Sequence, residues 1–289
     1  MPTLLAPAKI NLTLEILSRR DDGFHTLRSV MVPIALYDRI ELQPSDTTGF
    51  AVDDPALRTN NLIERALESA GTTPYAVRLH KEIPVGGGLG GGSSDAAAVL
   101  RAAMDGLLGA PPQRDWLALA AALGSDVPFF LAGTGALVEG TGERVTAIGV
   151  LPDWWAIVAR PFASVATADA YRQLDARRAS DGGWPSRPRS SSASLGAVDA
   201  LQRRDFAALN AALVNDFHEL VLEAYPAVAR AHAALRAAGA EHALLSGSGS
   251  CLFALFEREA AARTCAARLD PTAFERTFVV ALHHDPAWR

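Results

Sequence analysis

The sequence predicts a mixed α+β protein in which strands and helices do not alternate strictly. Near the amino terminus, apolar and polar residues alternate as they do in a half-buried strand. Further along, a glycine-rich run from Gly86 to Gly92 leads into an alanine-rich helix. The 289 residues are 49% hydrophobic and 20% charged, which is ordinary globular composition. A chain of this length is expected to fold into two modest domains or one large one.

The first predicted strand runs from Ile10 to Ile16, where even-numbered positions are apolar and odd-numbered positions are polar. Because successive side chains of a strand point to opposite faces, we expect Lys9 and Asn11 to face away from the core, on an exposed face. Further strands are predicted at residues 27–32, 39–42 and 77–81.

Helix ends are marked by capping residues. Asn61, with Glu64 three residues on, predicts the start of a helix that ends at Gly71. A second short helix is predicted from Asp115 to Leu123, ending at Gly124. The segment that follows, residues 124–130, is predicted to be a turn.

The second half of the chain has a weaker pattern. Residues 177–194 are rich in Arg, Ser, Gly and Pro and are predicted to form a surface loop. The other predicted elements are strands at 136–139, 156–160, 243–245 and 251–256, helices from about 205 to 238 broken near Pro226, a further helix and a last strand near Phe278.

Charge and cysteine content limit the possible partners. The net charge of -5 provides no basic surface for nucleic acid or an anionic membrane. Cys251 and Cys265 form neither a disulfide framework nor a zinc motif, and no apolar run is long enough to span a bilayer. No leader is apparent at the amino terminus. We therefore expect a cytoplasmic monomer or weak homodimer.

The strongest motif is a glycine-rich loop between a predicted strand and a predicted helix. Glycines allow the backbone to approach an anion closely, and a helix amino terminus offers free N–H groups and about half a positive charge. A flexible linker is the alternative interpretation. The predicted phosphate-binding residues are Pro84, Val85, Gly86, Gly87, Gly88, Leu89, Gly90, Gly91, Gly92, Ser93 and Ser94, called the glycine-rich loop below.

Other nucleotide motifs fit less well. Gly86, Gly88 and Gly91 match G-x-G-x-x-G. A dinucleotide-binding fold, however, has this motif after its first strand, with an acidic residue about 20 positions later at the end of a second strand. Here the region downstream of the motif is predicted to be helical. The Walker pattern fails because Ser93 occupies the lysine position. His218-Glu219 lacks the second histidine of a zinc protease, and no G-x-S-x-G sequence is present.

Two further residues have the chemistry of phosphoryl transfer to an alcohol. Asp126 is a carboxylate that could accept the hydroxyl proton, and Lys9 is a cation that could steady the developing charge. Taken alone, Asp126 is more simply a turn residue. The cluster at residues 246–250 is either a hairpin turn or a second wall of the phosphate site.

Five blocks of sequence together carry a resemblance. They are Ala-Lys-Ile-Asn-Leu-Thr-Leu at 8–14, Asp-Gly-Phe-His-Thr-Leu at 22–27, the glycine-rich loop, Gly-Ser-Asp-Val-Pro at 124–128 and Leu-Ser-Gly-Ser-Gly-Ser at 245–250. In order and spacing they resemble the GHMP kinase superfamily and, within it, the family that phosphorylates 4-diphosphocytidyl-2-C-methyl-D-erythritol. The resemblance covers nearly the whole chain.

This resemblance implies a GHMP kinase fold, with an amino-terminal domain like ribosomal protein S5 domain 2 at residues 1–150 and a ferredoxin-like domain at residues 151–289. It implies transfer of a phosphoryl group from ATP, with Mg²⁺, to the 2-hydroxyl of the substrate, in the non-mevalonate route to isoprenoid precursors. Lys9 and Asp126 would be the catalytic pair. The metal ligands stay open.

The resemblance also implies residues for the rest of the site. The glycine-rich loop would hold the ATP phosphates, and Asn11, Phe24 and His25 would contact the cytidine. The sequence departs from the family pattern at Phe24, where tyrosine is more common, and after Thr167, where a proline is missing. Stacking by Phe24 is expected to survive, since it depends on the face of the ring.

Three alternatives remain open at this point. Another GHMP kinase, acting on homoserine, mevalonate or phosphomevalonate, would share the loop and Asp126 but lack the Phe24-His25 block. A nucleotide-binding regulator would bind ATP without turnover, which retention of both Lys9 and Asp126 disfavours. A Rossmann dehydrogenase rests on the glycine match alone.

Overall fold

The computed structural model describes residues 3–52, 61–111, 113–184 and 192–282. Its strands are β1 (Thr3–Arg19), β2 (His25–Pro44), β3 (Gly49–Val52), β4 (Tyr75–His80), β5 (Gly135–Gly140), β6 (Arg144–Gly149), β7 (Trp155–Pro161), β8 (Val214–Asn215), β9 (Leu244–Leu245), β10 (Leu252–Phe256) and β11 (Phe274–Ala281). Its helices are α1 (Leu62–Ala70), α2 (Gly91–Met104), α3 (Trp116–Leu123), α4 (Val127–Ala132), α5 (Thr167–Ser180), α6 (Ala193–Arg203), α7 (Phe206–Ala212), α8 (His218–Ala224), α9 (Pro226–Ala237) and α10 (Glu259–Ala266).

Two sheets organise these elements. In the first sheet the strand order is β3-β4-β2-β1-β8, and β5 and β6 extend it from the first half of β2. In the second sheet the order is β11-β7-β10-β9, with all neighbours antiparallel. The first sheet is mixed because β3 pairs with β4, and β8 with β1, in parallel. The predicted α+β class is confirmed.

Strand β2 differs from its prediction. The segments 27–32 and 39–42, predicted as separate strands, belong to one strand of 20 residues. A register shift against β1, between Pro7 and Ala8, absorbs the irregular stretch between them. The first half of β2 pairs with β5 and the second half with β4, so one strand supports both ends of the sheet.

The two faces of β1 are both buried. Ile10 and Leu12 pack in a core cluster with residues of β7, β10 and α6, as the alternation predicts. On the other face, Lys9 and Asn11 are only 3% and 1% exposed. The prediction that they lie on an exposed face was wrong, because β1 runs through the interior and the backbone N–H of Lys9 donates to Leu89 of the glycine-rich loop at 3.0 Å.

The caps confirm the first predicted helices. Asn61 accepts a hydrogen bond from the N–H of Ile63, Asp115 accepts one from Ala118, and Gly71 is left-handed at the end of α1. Helix α2 begins at Gly91, earlier than its serine residues suggested.

Two segments that were predicted to lack regular structure are partly helical. In the first segment, residues 127–130 belong to α4, so Asp126 occupies the position before the first turn of that helix. Residues 177–180 continue α5 and 193–194 begin α6, while 185–191 lie outside the described residues. The first prediction failed because Gly124 and Pro128 were read as turn residues, although proline fits the first turn of a helix. The second failed because the polar composition around residue 180 was read as a loop although α5 extends into it. Within the described ranges no helix is long and apolar enough to cross a bilayer.

Candidate active site

Lys9 and Asp126 lie together in a cleft of about 1010 Å³. Lys9 comes from the middle of β1 and Asp126 from the start of α4, and 3.7 Å separates Lys9 Nζ from Asp126 Oδ2. Burial lowers the pKa of Lys9 below its ordinary value, and the Asp126 carboxylate partly counteracts this. The Asp126 side chain is 27% exposed, so it remains open to a ligand in the cleft. The structure thus brings together the two residues that sequence reasoning paired.

Asn11 is fixed beside this pair by its own hydrogen bonds. Its side-chain oxygen accepts a hydrogen bond from Lys9 Nζ, and its amide nitrogen donates to Ser29 Oγ at 2.9 Å. Ser29 in turn donates to the carbonyl oxygen of Thr13 at 2.6 Å. The orientation of Asn11 in the cleft is therefore set by the sheet.

Phe24 and His25 line the same cleft. Phe24 follows the turn at Gly23 and is 66% exposed, so its ring is available for stacking. His25 is instead held by the protein. Its Nε2 lies 2.8 Å from Asp175 Oδ1, and its ring stacks on Tyr171 with the centroids 4.6 Å apart. Within the described part of the chain, Nδ1 of His25 makes no hydrogen bond.

The glycine-rich loop lines a second cavity, of about 360 Å³. Residues 84–93 contribute to its wall, whereas Ser94 is buried behind it. Gly88 and Gly90 line both this cavity and the cleft that contains Lys9 and Asp126. The two spaces therefore meet at the loop, next to the cation and the carboxylate.

The turn at residues 246–250 packs against the glycine-rich loop. Ser246 Oγ donates to the carbonyl oxygen of Gly88 at 3.0 Å, and the N–H of Cys251 donates to that of Gly87 at 3.1 Å. Gly247 and Ser248 line the cleft. The geometry is that of a second wall, which was one of the two interpretations of this turn.

Sequence reasoning named Thr167, as the residue after which a proline is missing, but it missed Tyr171 and Asp175 on the same face of α5. Thr167, Tyr171 and Asp175 all line the cleft and follow one another at intervals of four along α5. That spacing was the only signal available, since each residue type is common on polar helices. Lys81 and Asp95, which line the second cavity, were also not predicted.

Comparison with family models agrees with this architecture. Residues 58–134 match the GHMP kinases N terminal domain, and residues 197–276 match GHMP kinases C terminal. The first match contains the glycine-rich loop and Asp126. The second contains the turn at residues 246–250.

Curated relatives share most of the chain. A 4-diphosphocytidyl-2-C-methyl-D-erythritol kinase of Symbiobacterium thermophilum is 43% identical over 266 residues, covering 89% of this chain and 91% of that one. The protein of the same name from Deinococcus radiodurans is 40% identical over 273 residues, covering 91% and 87%.

Solved structures of similar proteins share the fold of this chain. A crystal structure of 4-(cytidine 5'-diphospho)-2C-methyl-D-erythritol kinase superposes with a TM-score of 0.79 at 35% identity, covering 98% of this chain and all of that one. Homoserine kinase from Cytophaga hutchinsonii, at 20% identity and a TM-score of 0.65, covers 97% and 95% and shares the fold.

Proposed function

This chain belongs to the 4-diphosphocytidyl-2-C-methyl-D-erythritol kinase family of the GHMP kinases, and we propose that it transfers the γ-phosphoryl group of ATP to the 2-hydroxyl of that substrate. It is an ATP-dependent small-molecule kinase. The reaction yields ADP and the 2-phosphate, in the non-mevalonate route to isoprenoid precursors. The observation that carries the proposal is the Lys9–Asp126 pair at the junction of two cavities.

In the proposed mechanism Asp126 accepts the proton of the attacking hydroxyl. Its exposed carboxylate faces the cleft, where an alcohol can lie within hydrogen-bond reach. Lys9 orients that carboxylate and offsets negative charge as the phosphoryl group moves. Because Lys9 is nearly inaccessible to water, its charge is less screened than it would be at the surface.

The glycine-rich loop is proposed to hold the ATP phosphates with backbone N–H groups at the start of α2. Gly88 and Gly90 then lie where the γ-phosphoryl group passes from one cavity to the other. The loop offers no lysine of its own, so Lys9 supplies the positive charge at the transfer point.

Mg²⁺ is proposed to enter with ATP. The described residues contain no group of three or more acidic, histidine or cysteine side chains able to hold a metal alone. Mg²⁺ commonly takes one or two protein oxygens and completes its coordination with phosphate and water. The Ser93 hydroxyl, which lines the second cavity, is an oxygen of that kind. The metal would neutralise charge on the phosphates.

The cytidine part of the substrate is proposed to bind beside Phe24 and His25 in the cleft. Phe24 would stack on the base and His25 would reach it through Nδ1, with Asn11 nearer the reacting groups. Tyr171 and Asp175 hold the His25 ring, so they belong to this subsite as positioning residues.

Replacing Phe24 with alanine is expected to weaken binding of the cytidyl substrate. Stacking of a base on an aromatic ring contributes about 1–3 kcal/mol, so the KM for that substrate should rise about 5- to 160-fold while the KM for ATP is unchanged. Phe24→Tyr should behave like the wild type. Phe162→Ala is the matched control, since Phe162 is 62% exposed and is not among the described residues that line the cleft. Equal KM values for Phe24→Ala and the control would contradict the stacking role.

Replacing Gly88 with alanine is expected to disrupt the phosphate site. Both Gly88 and Gly86 have positive φ angles, 76° and 66°, so alanine costs about 1–2 kcal/mol of backbone strain at either. Only at Gly88 would the new Cβ collide, 2.0 Å from the carbonyl oxygen of Ser246. Steady-state kinetics should show kcat/KM for ATP reduced about 100-fold in Gly88→Ala.

Gly86→Ala is the matched control, because no described atom lies within 4 Å of its added Cβ. If both variants lose activity equally, backbone strain rather than contact with the 246–250 turn explains the loss.

The domain division at residue 150 is proposed on the basis of sheet membership. Strands β1–β6 lie in the first sheet, and β7 and β9–β11 form the second. Strand β8 crosses between them by pairing with β1. We also propose that the enzyme acts in the cytoplasm as a monomer or weak homodimer, with no nucleic-acid partner; its two buried free thiols suit a reducing compartment.

The experiment that tests this function is a coupled assay of ADP release with ATP and Mg²⁺. The 4-diphosphocytidyl substrate is compared with homoserine, mevalonate and phosphomevalonate under identical conditions. Turnover with the cytidyl substrate alone is expected. Preference for another alcohol would overturn the assignment of Phe24 and His25, and ATP binding without any turnover would indicate a regulator instead.

A further inference from the structure

A buried cluster of three charged side chains lies beside the second cavity. Lys81, directly after β4, has its Nζ 3.0 Å from Asp95 Oδ2 and also contacts Asp38 Oδ2. Both carboxylates are essentially inaccessible to water, and Lys81 is nearly so. We call Asp38, Lys81 and Asp95 the buried ion triad.

The chain contains only two lysines, Lys9 and Lys81, among its 27 Lys and Arg residues. All other cationic positions except the histidines are arginine. One lysine lines the cleft and the other lines the second cavity. A compact ammonium is therefore used in this chain only at the walls of these two spaces.

The triad joins both ends of the glycine-rich loop. Asp38 Oδ1 accepts hydrogen bonds from the N–H groups of Glu82 and Ile83, at 2.7 and 2.9 Å, immediately before the loop. Asp95 lies on α2, immediately after the loop. Lys81 bridges the two carboxylates. A Cβ on Gly91 would lie 3.1 Å from Lys81 Nζ, so the ammonium also touches the first turn of α2.

A contribution to stability alone does not explain why these three charges are buried. Removing paired charges from water costs free energy that their attraction often fails to recover. Asp95 Oδ1 has no hydrogen-bond partner among the described residues. Burial, opposed by Lys81 and aided by Asp38, raises the pKa of Asp95 to about 7. Burial alone would lower the pKa of Lys81, but Asp95 and Asp38 outweigh it and raise the pKa.

We propose that Lys81, held between Asp38 and Asp95, is a positioning residue for ATP that ties together the two ends of the glycine-rich loop. With both ends fixed, the N–H groups of the loop face the phosphates before ATP arrives, and less conformational freedom is lost on binding. This inference rests on the proposed ATP site at the loop. It concerns affinity for the nucleotide and not the transfer step.

The test uses two variants of the whole chain. Lys81→Met leaves two carboxylates buried without their cation, and is expected to lower Tm. Asp38→Asn/Lys81→Met/Asp95→Asn removes all three charges at similar volume and keeps the oxygen that caps Glu82 and Ile83, so Tm should recover. In both variants the KM for ATP should rise at least about tenfold, with kcat within about threefold of the wild type.

The matched control is Arg28→Met. Arg28 pairs with Glu139 across β2 and β5 at 2.9 Å, and neither residue is among the described residues lining the two cavities. This variant is expected to lose stability without a change in the KM for ATP. The KM for the cytidyl substrate should be constant throughout the series.

Recovery of both Tm and the wild-type KM for ATP in the triple variant would overturn the proposal, since the triad would then serve the fold alone. Failure of the triple variant to fold would count against it for the same reason. A wild-type protein that does not bind ATP in a calorimetric titration would overturn the proposed function itself, which is a separate result.

Discussion

Asp126→Asn is expected to lower kcat by about 10²- to 10⁴-fold, the range usual for loss of a general base. Asparagine keeps the shape of the side chain but cannot accept the hydroxyl proton. The KM for ATP should stay close to that of the wild type, because the glycine-rich loop is untouched. Steady-state ADP release measures both quantities.

A modest loss of stability is expected, because the buried Lys9 ammonium loses the carboxylate that counteracts its burial, but no helix cap is lost. Asp126 stands before the first turn of α4, but its side chain accepts no capping hydrogen bond within the described chain. Asp115→Asn is the matched control, because Asp115 does cap its helix, α3, and lies outside the described linings of both cavities. Turnover of Asp126→Asn within about threefold of the wild type would remove Asp126 from the mechanism.

Lys9→Met is expected to lower kcat by about 10²- to 10³-fold. This is the loss typical when a preorganised group that stabilises charge in the transition state is removed. Methionine fills a similar volume in the buried site, so the protein should fold. Lys9 also orients Asp126 and Asn11, so its loss affects the carboxylate as well.

Because Lys9 and Asp126 act on the same phosphoryl-transfer step, the losses of activity caused by the two substitutions should not multiply. The double variant Lys9→Met/Asp126→Asn is expected to be about as slow as the slower single variant. Single-turnover measurements would show this. Losses that multiply in the double variant would mean that the two residues act independently.

Much of the fold could be predicted from local signals. Asn61 and Gly71 bound α1 because capping and left-handed glycine are properties of a few neighbouring residues. The alternation from Ile10 to Ile16 identified β1 because its apolar face meets a core. The glycine-rich loop was recognisable because its glycines stand together between a strand and a helix, a composition that suits close approach of the backbone to an anion.

The features that could not be predicted depend on contacts between distant segments. Lys9 and Asn11 were expected on an exposed face, since alternation cannot show that a second layer covers the polar side of β1. Strand β8 has two residues and no periodicity, and exists through its pairing with β1. The partner of His25, Asp175, lies 150 residues away in the chain, beyond the reach of any local pattern.

The buried ion triad was also beyond what local sequence patterns can predict. Asp38 lies on β2, Lys81 lies directly after β4 and Asp95 lies on α2, and each appears in the sequence as an ordinary charged residue. Only the folded sheet brings the two carboxylates to one ammonium. Lysine scarcity was a compositional hint, but it did not indicate which residues lie beside Lys81.

Lys9 and Asp126 are proposed to direct a phosphoryl group to one hydroxyl of the cytidyl substrate. The most direct measurement is phosphorus and proton NMR of the product formed from 4-diphosphocytidyl-2-C-methyl-D-erythritol, ATP and Mg²⁺. We expect one new phosphomonoester, on the 2-hydroxyl, in equal amount to ADP. A phosphate on another hydroxyl, or ADP with free phosphate and unchanged substrate, would contradict the account.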